Sequence, residues 1–442
     1  MNAEIRQIRT AAEQGLSDAY VATKASLPGE GTIAALRDKA FARFEAVGLP
    51  HRRIEEWKYT DLRAAMREAK PLAAPPDAEA KARAQNAGTA MSVDARRLVF
   101  INGVFVPEIS DLAAPEPGLT IASMAEALAA ADPFVVGKLS QTDASADVAL
   151  ALNTAFMGDG VVIRVAPGTS LERPLHLVFT YEGAPGASFV RSLVEVGAGA
   201  RLALIETHES AEGRDDQVNA VVDLAIGDKA YVDHVKIGAE STSAMHVASL
   251  IATIGADAHV NTFVFNTGGA LVRNQLFLTL NKPGATLRVG GASLLKGRQH
   301  ADLTLLLDHA SGECQSREVF KTVLDERARG VFQGRIIVRP HAQKTDARMM
   351  SRALLLSEDA EADNKPELEI FADDVQCGHG ATAGSLDDSL KFYLMARGIP
   401  EKEAEALLVQ AFIGEAIEGI EHAGLRDALM EASVRWLEAR SA

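Results

Sequence analysis

Four alanines constrain this chain more than any other feature. Ala200, Ala230, Ala258 and Ala285 recur at intervals of 30, 28 and 27 residues, each within the same plan of strand, tight turn, alanine, strand. The units read VEVGAGARLAL (194–204), LAIGDKAYVDHV (224–235), ATIGADAHVNTF (252–263) and LNKPGATLRV (280–289). A unit of this length cannot bury its apolar face alone and must stack on its neighbours. Alternation after the alanine, as in Leu202/Leu204 and Phe263/Phe265, is expected to send one set of side chains inward. A stacked β-helix and a sandwich of hairpins both satisfy the pattern. Small residues at fixed corners and the lack of long helical crossovers favour the β-helix over roughly residues 150–380.

The flanks read differently. From Thr32 to Val47, Ile33, Leu36, Ala40, Phe41, Phe44 and Val47 share one helical face, with Thr32 as the expected N-cap and Gly48 with Pro50 as the stop. Residues 70–90 are rich in Ala, Pro and charge and read as a linker. Asn102-Gly103 lies between two apolar runs, the signature of a type I′ hairpin. The segment ELEIFADDVQCGH (367–379) reads as the last strand. Three helices should follow. Ser385 with Asp388 forms a capping-box pattern for the first, Pro400 opens the second, and the third spans about Leu425 to Arg440. The expected domains are 1–95, helical with a linker; 96–380, the β core; and 381–442, helical. Terminal helices are expected to cap the coil against edge-to-edge aggregation.

Composition excludes several functions. A formal net charge of −15 does not suit a nucleic-acid binder, which needs a cationic surface. No window reaches the ~18 apolar residues of a membrane span, and the first residues lack a secretory apolar core. With only Cys314 and Cys377, both expected as reduced thiols, the chain reads as cytoplasmic. It has no G-x-x-x-x-G-K-[ST] loop, so no nucleotide is expected to bind this chain. It also lacks G-x-S-x-G and H-E-x-x-H motifs, which argues against an enzyme of those classes. The acid pairs Asp373-Asp374 and Asp387-Asp388 would have to converge on one sugar for a β-helical carbohydrate-active enzyme, the alternative function. Adjacent strand residues point to opposite faces, so they do not.

One constellation carries chemistry. Cys377 and His379, with Gly378 between, project from the same face of an extended strand. Thiolate and imidazole together suit a soft transition metal. An iron–sulfur cluster takes about four ligands, so this pair needs donors from another chain or external thiols. Cys314 and the scattered histidines, His341 included, receive no role.

IEEWKYTDL (54–62), the Asn-Gly hairpin, SREVFKTVLDERARGVFQGRIIVRPHAQKTDA (316–347), KPELEIFADDVQCGHGATAGSLD (365–387) and FYLMARGIP (392–400) together resemble the SufB/SufD family. These are the non-ATPase scaffold subunits of the SUF iron–sulfur cluster assembly machine. The EEWKYTDL and C-x-H-G-A-T stretches resemble the SufD branch, since SufB has an E-H-E-A-type sequence at the latter place. The resemblance implies a right-handed parallel β-helix between N-terminal and C-terminal helical domains. It implies a heterodimer with SufB through the β-helix ends, docking of the SufC ATPase on the C-terminal helices, and a possible homodimer without SufB. It also implies that His379, and with less definition Cys377, helps hold iron or a transient Fe–S cluster at the SufB interface. Where the family commonly has Ser, this chain has Gly378.

Overall fold

In the computed structural model, which describes residues 9–88, 93–143 and 147–441, the four repeat alanines are fully buried at corners and each precedes a strand. The residue before each alanine has a left-handed backbone: Gly199 (φ 68°), Lys229 (57°), Asp257 (52°) and Gly284 (77°). This backbone turns the chain sharply, and a small side chain then tucks beneath the turn. The column continues where no alanine marks it. Glu313 (φ 61°) precedes buried Cys314, and Lys344 (φ 60°) precedes buried Thr345. Ladder register aligns Thr286, Gln315 and Asp346, so Cys314 and Thr345 fill the alanine slot of later coils.

The chain begins with helices α1 (Ala11–Thr23), α2 (Thr32–Val47), α3 (Leu62–Ala65) and α4 (Ala78–Ala84). Strands β1 (Arg96–Ile101), β2 (Val104–Phe105) and β3 (Leu119–Ser123) follow, then α5 (Met124–Ala129), α6 (Pro133–Asp143) and α7 (Val148–Phe156). The coil proper runs β4 (Val161–Val165), β5 (Leu175–Thr180), β6 (Ala187–Val196), β7 (Arg201–Glu209), β8 (Gln217–Ile226), β9 (Tyr231–Ala239), β10 (Met245–Ile254) and β11 (His259–Asn266). It continues through β12 (Leu271–Leu280), β13 (Thr286–Leu295), β14 (His300–His309), β15 (Gln315–Leu324), β16 (Arg329–Val338), β17 (Asp346–Leu355), β18 (Glu361–Ile370) and β19 (Gln376–Gly384). Helices α8 (Asp388–Ala396), α9 (Glu401–Ile417) and α10 (Ala423–Ser441) complete it.

Successive strands alternate between two sheets, ordered β19-β17-β15-β13-β11-β9-β7-β5-β1-β2 and β18-β16-β14-β12-β10-β8-β6-β4-β3. Each strand from β6 onward lies parallel to the one two places back, so the fold is a parallel β-solenoid and not a sandwich of hairpins. Leu204, Val232, Leu250 and Leu276 belong to the core that fills the coil. Phe263 and Phe265 point the other way, which corrects the inward reading of that pair. They pack outside the coil with Val409, Ile413 and Leu429 of the C-terminal helices.

Among the described residues, the helices pack on the sides of the coil. Phe41, Phe44 and Phe156 of α2 and α7 pack with Phe189 and Val247 on the outside of the nine-stranded sheet. At the first end, β2 closes antiparallel on β1 and β3 antiparallel on β4. Asn102 (φ 55°) and Gly103 (φ 81°) make the expected hairpin turn. At the other end, among the described residues, no strand pairs beyond β18 and β19.

Several local expectations shift. Thr32 is the first helical residue and Gly31 takes the N-cap position, while Gly48 (φ 73°) stops α2 as expected. The segment 70–90 carries α4, and Leu72 bridges to Ala187. Residues 361–384 form two strands with a corner at 371–375, because Ala372 turns inward there. Asp387, not Ser385, caps α8 by accepting from Ser389 and Leu390 N–H.

Candidate functional site

The open end of the coil is built by its last two strands. Glu361 N–H donates to Ala328 O at 3.0 Å, and Gln376 N–H to Thr345 O at 2.8 Å. Successive residues of a parallel ladder direct their backbone groups to opposite sides. The N–H and C=O groups of Cys377, His379 and Ala381 therefore face away from β17, and those of Asn364 and Leu368 away from β16. Pro366, which has no N–H, falls on that unpaired side of β18, where its missing donor costs no ladder bond. Ile370 and Phe371, 42% and 59% exposed, leave apolar surface beside this edge.

Cys377 and His379 sit in this last layer. They lie across the ladder from Ala347 and Met349, both buried in the core that fills the coil. The two side chains therefore share the inward face. Cys377 is half-buried and packs on that core, while His379 is exposed because no further coil covers it. Burial pushes the Cys377 thiol up from its usual value, which favours the neutral thiol until a metal or a base takes the proton. Neither residue is sealed inside, and neither is turned from the surface that a companion chain would cover.

Beneath Met349 in the same column is Glu318, almost wholly buried. Burial pushes its carboxyl up to about 8, so it stands protonated at neutral pH. The sequence reading passed over Glu318; its one signal is an acid on the inward parity of β15, two residues before buried Phe320.

The remaining candidates resolve into structural roles. Cys314 fills a corner, its Sγ donating to Lys282 O at 3.3 Å. His341 bonds Ala310 O through Nε2 at 2.8 Å. Asp374 lies in the corner between β18 and β19, where its carbonyl accepts from Lys344 N–H, and Asp387 caps α8. The EEW stretch anchors the N-terminal segment to the coil. Arg273 stacks 3.9 Å over the buried Trp57 ring, and its Nη2 donates to Glu56 O at 2.7 Å. Lys365 of β18 pairs with Glu55, tying the anchor to the open end.

One further surface matters. Helix α8 buries none of its residues and exposes Leu390, Phe392, Tyr393 and Met395, with Phe392 73% exposed. Among the described residues, no helix is long and apolar enough to cross a membrane.

Comparison with known proteins agrees with this architecture. Residues 179–412 match the family described as "SUF system FeS cluster assembly, SufBD core domain", and residues 11–177 match the "SufBD protein N-terminal region". The chain is 31% identical over 387 residues to the iron–sulfur cluster assembly protein SufD of Escherichia coli (strain K12), covering 87% of this chain and 88% of that one. It is 32% identical to an iron–sulfur cluster assembly SufBD family protein of Synechocystis, covering 87% of this chain and 86% of the relative. The SufD protein of Bacillus subtilis (strain 168) is 27% identical over 299 residues, 64% of this chain and 66% of its own length. These matches give no support to a carbohydrate-active β-helix.

Proposed function

The chain belongs to the SufBD family of iron–sulfur cluster assembly proteins, and from that membership we propose that it is the SufD-type scaffold of a heterodimer with a SufB-type chain. Membership in the SUF system implies that it works in a complex with other SUF components. The observation that carries the finer reading is the open end of the coil, where β18 and β19 are each paired on one side and a thiol and an imidazole sit on the inward face of the last layer. An unpaired edge of this length invites a partner strand, since every free N–H and C=O gains a hydrogen bond. Without its partner, the same edge suits a second copy of this chain.

The cargo of the seam is iron or a nascent cluster, bound as substrate and passed on. Cys377 and His379 supply two donors of the about four that a cluster takes. A partner that continues the coil would bring its own side chains over them at the ~4.8 Å strand spacing. The chain acts as a non-catalytic scaffold. Its exposed α8 suits docking of the SufC ATPase, because an apolar helix face left in water is stabilised by a partner's cover. Nucleotide-driven closure of that ATPase would strain α8–α10 and open the seam for loading.

The test is co-expression of this chain with SufB-type and SufC-type partners from the same source. We expect all three to co-purify, and this chain and the SufB type to remain paired when the ATPase is omitted. A chain that purifies alone under both conditions contradicts the reading.

A further inference from the structure

A second cluster of ligating side chains lies in the middle of the coil. Among the described residues, His208, Glu240 and His246 are the one group of three whose donor atoms all lie within 4.8 Å of one another. His208 and His246 project inward from β7 and β10 and meet edge to face at 4.6 Å between ring centroids. Glu240 follows β9 at a corner, its Oε1 against His246 Nδ1. All three are buried.

The cluster leaves polar atoms unsatisfied around a cleared space. Glu240 Oε2 and Asn266 Oδ1 are buried without a hydrogen-bond partner, and His208 Nε2 has only Glu206 Oε2, 3.5 Å away. Gly238 lies across the ladder from His208. A Cβ there would come 2.6 Å from Asn266 Oδ1 and 3.3 Å from Glu240 Oε2, so the glycine keeps that space open. Bare buried acceptors are costly, and two beside one cleared space imply an occupant. Tyr181 Oη is 3.1 Å from His208 Nδ1. With Nδ1–H donating to that oxygen, Nε2 presents a lone pair, as ligating imidazoles do.

Charge points to a cation. Glu206 and Glu240 face one amine, Lys236, whose Nζ lies 3.3 Å from His246 Nε2 and donates to Asn274 Oδ1 at 2.8 Å. The two carboxylates otherwise face imidazoles: His234 Nε2 lies 2.5 Å and His208 Nε2 3.5 Å from Glu206, and His246 Nδ1 meets Glu240. A dication bound beside them would neutralise this pair of carboxylates.

We propose that His208, Glu240 and His246 form a site for a borderline divalent transition metal, Zn²⁺ or Fe²⁺, sealed within the coil. Two imidazoles and a carboxylate are the donor set these ions share. The site is five strands from β19, about 24 Å at the ~4.8 Å strand spacing. It stands independently of any cluster at the open end.

The test uses the full chain produced in cobalt-supplemented medium, purified alone and dialysed against EDTA. Metal is counted by mass spectrometry and its geometry read from the visible d–d bands of Co²⁺. We expect about one Co²⁺ per chain, retained in a Cys377→Ser/His379→Ala variant. Content should fall at least about tenfold in His246→Gln and in Gly238→Ala, which keeps every donor but fills the space. A folded wild-type chain free of cobalt overturns the site. So does cobalt lost with Cys377 and His379 yet kept in both His246→Gln and Gly238→Ala.

Discussion

His379 and Glu318 stand in one inward column two ladder steps apart, with Met349 between them. The imidazole is at the open rim and the carboxyl two coils deeper, in the buried interior. Kept protonated by burial, Glu318 places no negative charge beneath a seam proposed to hold an anionic cluster.

That acid makes stability depend on pH with a defined sign. The folded chain keeps a proton up to about pH 8 that the unfolded chain releases from about pH 4.5. The stabilising contribution is therefore complete below about pH 4.5 and is lost as pH rises through about 8. Glu318→Gln mimics the neutral acid, and its urea midpoint should stay flat between about pH 6 and 8 while the wild type declines. Parallel declines would place the titrating group elsewhere.

Cys314 and Cys377 should react differently with a thiol reagent. Cys314 fills a corner with no exposed surface, whereas Cys377 lies at the rim. Mass spectrometry of the native chain should find slow modification of Cys377 alone, with Cys314 labelled only after denaturation. Cys314→Ala, which restores the repeat residue, should cost about 1 kcal/mol or less.

Trp57 anchors the N-terminal segment under the Arg273 guanidinium. Trp57→Ala removes a buried ring and leaves Arg273 with less cover, for an expected loss of about 3–5 kcal/mol in denaturant unfolding. A loss below about 1 kcal/mol would mean that the segment docks without it.

Ala381→Pro separates fold from assembly. The Ala381 N–H faces away from β17, so proline removes no bond of this chain's ladder but blocks one to an added strand. We expect unchanged circular dichroism and a lost or at least tenfold weaker pairing with the SufB-type partner, read by size exclusion and titration. Full-strength pairing would mean that the partner does not extend β19.

The solenoid was legible because its corners repeat. A left-handed residue followed by a small one is a backbone requirement, and Ala200, Ala230, Ala258 and Ala285 show it openly. Cys314 and Thr345 meet the same requirement with other small side chains, so the column faded from view where the residue type changed. Parity within a strand was harder to read. Phe263 and Phe265 alternate like core residues, but α9 and α10 cover the outer face, so both faces of β11 are apolar. The pair Cys377 and His379 was visible from its i, i+2 spacing in an extended segment. His208 is far in sequence from Glu240 and His246, and only the stacking of β7 on β9 brings it to them.

The most direct test concerns His379 in the assembled complex. The chain carrying His379→Ala should be purified with its SufB-type and SufC-type partners. Cluster formation from iron, sulfide source and ATP is then followed by absorbance and by iron and sulfide content. We expect a complex of normal composition whose cluster yield falls at least about tenfold, because one of about four ligand positions at the seam is gone. Wild-type yield from that intact complex would contradict a shared site at the open end of the coil.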